Sequence, residues 1–155
     1  MRKILSYALF IASQAFLSIY SAQAQNVSYA WHSPDTQQLQ ATCQVHSISA
    51  EQQICQRGTR YASQAAEYLF GLLQGDGEQS EIEIANLISW CGRQVSSRCL
   101  TSYAITRAEM IASQGCTLMS NGITISRQGI NPQRAYQICM QGVRLVIDLN
   151  LVHNR

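Results

Sequence analysis

Cysteine and histidine are the residue types best suited to chemistry in this 155-residue chain, which has six of the first and three of the second. In Cys43-Gln44-Val45-His46 a thiol and an imidazole stand three residues apart. On a helix they would share a face and could begin a soft-metal site. Two donors do not complete a metal's ligand set. A Cys–His nucleophilic pair would need a free, activated thiol and a third group to orient the imidazole, and no residue is nominated for either. Cys43, Cys55, Cys91, Cys99, Cys116 and Cys139 are separated by 11, 35, 7, 16 and 22 residues, unlike the tight pairs of zinc sites. An even cysteine number in an exported chain favours a covalent framework, so no metal, cofactor or catalytic residue is assigned.

Carboxylate chemistry has no better support. General acid–base work needs two carboxyls in different environments, whereas Glu81 and Glu83 sit two apart near a helix start and face different directions. Glu51, Glu67 and Glu109 lie in predicted helices near arginines, where solvated ion pairs are expected. His32, His46 and His153 are scattered. Trp90 adjoins Cys91 in an apolar stripe and is expected in the core. Trp31 and Tyr29 lie in a segment with little core to join; this aromatic pair either docks a partner protein, as its candidate contact, or folds back onto the domain.

The opening segment bears on compartment. Arg2 and Lys3 precede a largely apolar run, and Ala22-Gln23-Ala24 offers small residues to a peptidase, so residues 1–24 are expected to be a cleaved export signal. The run is broken by Ser6, Ser13 and Gln14 and falls short of the roughly 20 apolar residues of a membrane span. No stable anchor is expected after cleavage. Arg2 and Lys3 account for the whole formal charge of +2, so the remainder is neutral, with scattered arginines and acids. Nucleic-acid binding would call for a basic stripe, and none is present. The 155 residues less these 24 leave 131, enough for one domain with its own core.

The elements that position these residues are predicted as helices. Residues 25–48 form a leader and a short first helix carrying Cys43, and residues 49–155 form the bundle. Ser49 with Gln52 reads as a capping box. The face Ile54, Gly58, Tyr61, Ala65, Tyr68 and Leu72 follows, until Gly75-Asp76-Gly77 ends the helix. A second helix starts near Ser80 and buries Ile84, Leu87, Ile88, Cys91 and Val95. Thr101 is the expected cap of a third helix reaching about Leu118. Residues 123–129 have no clear regular element. Asn131 caps a last helix with Pro132 in its first position, on which Ile138, Gly142, Leu145, Leu149 and Val152 share a face. The fold class is all-α, a small disulfide-stapled bundle of about four main helices.

An internal echo runs through two of these helices: Gln53-Ile54-Cys55-x-x-Gly58-x-Arg60 recurs as Gln137-Ile138-Cys139-x-x-Gly142-x-Arg144. Glycine inside a helix costs about 1 kcal/mol of propensity, which suggests that a neighbouring backbone approaches closely. Six cysteines admit 15 pairings, among which sequence does not choose. Because each repeated cysteine has another in the segment before its helix, the echo suggests Cys43 with Cys55 and Cys116 with Cys139, which leaves Cys91 with Cys99. Eight residues of unbroken helix would hold those two about 12 Å apart, beyond the roughly 7 Å a disulfide allows, so that pairing requires a bend between them; a straight helix would send the two cysteines to different partners.

With no constellation of catalytic groups and heavy covalent reinforcement, the chain is expected to be a non-enzymatic interaction or adaptor domain, periplasmic or secreted, that binds another protein. At the level of class it resembles secretion-system accessory and immunity-type proteins. Two alternatives remain: a carrier holding a small apolar ligand where Gly58, Ala62, Ala65 and Gly142 leave space, and a hydrolytic enzyme assembled from distant positions.

Overall fold

A computed structural model describes residues 41–92 and 95–153, with side-chain surroundings described as far as 149. The expected signal segment, and Tyr29 and Trp31 behind it, lie outside these residues. Every regular element among the described residues is helical: α1 (Ser49–Gln74), α2 (Glu78–Cys91), α3 (Ser97–Ser120), α4 (Ile123–Arg127) and α5 (Pro132–His153). The all-α class and its four main helices are as the periodicity predicts. None of the described helices is long and apolar enough to cross a membrane.

The described chain divides into two compact units, one made of residues 41–69 and 104–153, the other of residues 70–103. In the larger unit the first part of α1 buries Ile54, Cys55, Ala62, Ala65, Ala66 and Leu69. These positions are one, three or seven residues apart, which keeps them on one helical face. The predicted face starts correctly at Ile54 but drifts: Tyr68 is exposed, and Ala62, Ala66 and Leu69 hold the centre of the contact. Small side chains carry the burial because the neighbouring helices lie close. Ala135, Ile138, Cys139, Val143 and Val146 form the matching face of α5.

The echo marks where these two helices meet. A Cβ added to Gly58 would collide with the main-chain carbonyl of Cys139, and one added to Gly142 with that of Cys55. The relation is reciprocal, each copy of the motif placing its glycine against the other copy's cysteine. The Ile–Cys–x–x–Gly face of each helix is thus spent on the crossing. Gln53, Arg60, Gln137 and Arg144, at the motif ends, remain exposed.

Two cap assignments are corrected. The amide of Gln52 donates to the carbonyl of Ile48 (3.0 Å), so Ser49 lies inside α1, and the Gln52 side chain donates to the carbonyl of His46 (2.7 Å) instead of closing a capping box. Thr101 lies within α3, its hydroxyl donating to the Ser97 carbonyl. The cap is Ser96, whose hydroxyl accepts the Cys99 amide at 3.2 Å and whose carbonyl accepts the Leu100 amide. The segment after Gly122, expected to be irregular, forms α4 because Ile125 anchors it, 2 % exposed. Asn131 caps α5 as predicted, its side-chain oxygen accepting the Gln133 amide at 2.8 Å.

In the smaller unit Leu73, Ile84, Leu87, Leu100 and Tyr103 form the core. The helical path breaks after Cys91, where Gly92 takes φ 75°, a left-handed conformation that only glycine adopts without strain. This is the bend that the pairing of Cys91 with Cys99 requires.

Candidate interaction site

The three disulfides join Cys43 to Cys55, Cys91 to Cys99 and Cys116 to Cys139, with Cα–Cα distances of 5.6, 5.8 and 5.7 Å. Cys43 and Cys55 are fully packed, and they close the short loop that runs from Gln44 to Ile48 ahead of α1. The amide of His46 donates to the Cys43 carbonyl at 3.4 Å, while its own carbonyl accepts the Gln52 side chain. The loop is therefore fixed by a covalent bond and by hydrogen bonds on both sides.

His46 turns inward. Its Nδ1 lies 3.4 Å from Glu51 Oε2, and its side chain is 9 % exposed. Arg134, from the first turn of α5, spans both carboxylate oxygens, with Nε 3.1 Å from Glu51 Oε1 and a second nitrogen donating to Oε2 at 3.5 Å. Glu51 sits in the first turn of α1, where a carboxylate also meets the positive end of the helix dipole. The hydrogen bond from Arg134 holds its carboxyl below the ordinary value. The charge of Arg134 and the neighbouring His46 act the same way, and partial burial acts against them. Glu51 is thus mostly covered, unlike the solvated ion pair expected from sequence. Glu109 does form the looser kind, 3.7 Å from Arg144. Glu67 stays exposed.

With His46 turned in, its neighbours turn out. Val45 is 80 % and Ile48 55 % exposed, two aliphatic side chains held in water on a loop with little freedom to hide them. Cys43 and His46 are close in sequence, but the sulfur is committed to a disulfide and the imidazole faces a carboxylate. Among the described residues no group of three or more His, Cys, Asp or Glu side chains is placed to hold a metal ion.

In the smaller unit, the hydroxyl of the buried Tyr103 donates to the carboxylate of Glu83, itself 5 % exposed. Trp90 packs edge-on against the Tyr103 ring, centroids 6.0 Å apart, yet is 56 % exposed. Its expected place in the core is corrected: Ile84 and Leu87 occupy the middle of the buried face of α2, and Trp90 falls on its flank. Burial of Glu83 has no sequence signal, since one acid among several near a helix start reads as solvated.

No known family model, curated protein or solved structure matches the chain.

Proposed function

We propose that this chain is a non-enzymatic protein-interaction domain, exported to a periplasm or beyond the cell, whose docking element is the loop from Gln44 to Ile48. The observation that carries the reading is the exposure of Val45 and Ile48 on a loop tied by a disulfide, by Gln52 and by the His46–Glu51–Arg134 cluster. Holding aliphatic side chains in water forgoes about 25 cal/mol per Å² of burial. A partner that covers them recovers that free energy, and a loop already fixed loses little conformational entropy on binding. The exposed guanidinium of Arg134 at the edge of the cluster favours a partner segment with a carboxylate beside its apolar residues. Export is supported by the oxidised cysteines, which persist outside reducing compartments, and by the signal pattern of residues 1–24.

The carrier reading loses its motivation, because the space it assigns beside Gly58 and Gly142 holds the backbone of the opposing helix. The test is capture of partners from the cell-envelope and culture fractions on immobilised protein, wild type against the double variant Val45→Asp, Ile48→Asp. Loss of a discrete partner with the double variant supports the proposal. Equal capture by both proteins refutes it.

A further inference from the structure

The three disulfides occupy unequal environments. Cys43, Cys55, Cys116 and Cys139 are each no more than 1 % exposed, whereas Cys91 and Cys99 both remain partly exposed. A thiol in solution reaches the first two bridges only when the surrounding helices open, an event that costs a large part of the local stability. The third joins residues that are partly open to solvent in the folded state.

Its two sulfurs also differ. Cys91 is the last residue of α2, at the negative end of a helix dipole, where a thiolate is disfavoured. Cys99 is the third residue of α3, its amide held by the Ser96 hydroxyl, at the positive end of a dipole, where thiolates are stabilised. A disulfide that joins the end of one helix to the start of the next is polarised: breaking it so that Cys99 leaves is easier than the reverse, since the thiol of lower pKa is the better leaving group.

We propose that the Cys91–Cys99 disulfide is a thiol-exchange site, open to reduction by an external dithiol while the other two bridges stay closed. The attacking thiolate bonds to Cys91 Sγ, the Cys91–Cys99 bond breaks, and its electron pair leaves on Cys99 as a thiolate. The reagent's second thiolate then attacks its own sulfur in the mixed disulfide. Cys91 is released as a thiolate that takes up a proton, and the dithiol, having supplied two electrons, departs as its disulfide. The exchange frees the junction between α2 and α3 next to Trp90.

The test is native-state reduction of the full chain with dithiothreitol, sampled over time, quenched with iodoacetamide and mapped by mass spectrometry. Cys91 and Cys99 acquire label at least about tenfold faster than the other four cysteines. A parallel reaction with glutathione, quenched early, places the mixed disulfide on Cys91 and leaves Cys99 for alkylation. Labelling of all three bridges at one rate overturns the selectivity, and early glutathione on Cys99 overturns the direction.

Discussion

Gly58 of α1 lies against the main-chain carbonyl of Cys139 in α5, and Gly142 of α5 lies against that of Cys55 in α1. Each half of the contact is the same five-residue pattern used from opposite sides, and each cysteine involved is held by a disulfide, Cys55 to the segment before α1 and Cys139 to α3. Glycine is required there by the approach of a backbone, which unlike a side chain cannot rotate away.

Alanine at either position therefore destabilises the protein even though it favours the helix. The overpacking cost is about 1–3 kcal/mol, against a propensity gain near 1 kcal/mol. The control is Gly71, also within α1, where an added Cβ meets nothing within 4 Å. Gly71→Ala is expected to stabilise by roughly 0.5–1 kcal/mol. Urea titration of the three variants checks the opposite signs.

The motif was legible because a glycine at an interior helical position is costly and its recurrence needs a cause. The four long helices and the bend before Cys99 were legible for similar reasons, from periodicity and from the reach of a disulfide, whereas α4 was not. Local hydrogen bonding was harder to read. Gln52 stands where a capping box would place it, but its side chain donates to the main-chain carbonyl of His46 instead of accepting the amide of Ser49. Trp90 follows the apolar pattern of α2, yet a flank position and an aromatic neighbour leave it half in water. The pairing of Glu51 with Arg134 spans 83 residues, and no local pattern announces it.

Glu51 links acid stability to the loop. Its carboxyl is held below the ordinary value chiefly by the hydrogen bond from Arg134, so the stabilisation is present above the unfolded-state pKa, about 4.3. It is lost as pH falls from there through the lower folded-state value. Glu51→Gln is expected to cost on the order of 1 kcal/mol at neutral pH and to lose less stability than wild type on acidification through that window. Thermal unfolding at neutral pH and near pH 3 makes the comparison.

Tyr103 and Glu83 make a buried polar pair in the smaller unit. Removing the hydroxyl in Tyr103→Phe takes one donor from a buried carboxylate and is expected to destabilise by about 1–3 kcal/mol. Trp90→Phe, at a half-exposed site, costs less. Denaturant midpoints followed by circular dichroism rank the two.

The caps of α3 and α5 provide an independent check on local structure. Ser96→Ala and Asn131→Ala each remove a side-chain acceptor from an amide in the first turn, a loss of about 0.5–2 kcal/mol. Thr101→Ala, at the position expected from sequence to be a cap, is worth less. Calorimetry of the three variants shows which residue starts α3.

The docking loop is the central claim, and site-specific photocrosslinking tests it most directly. A photoreactive residue at Val45, in the chain expressed in its native host, is compared with one at Gln64, an exposed position on α1. The account predicts a discrete protein adduct from position 45 that is absent from position 64 and abolished by Ile48→Asp. Equal adducts from both positions, or none from position 45, would contradict it.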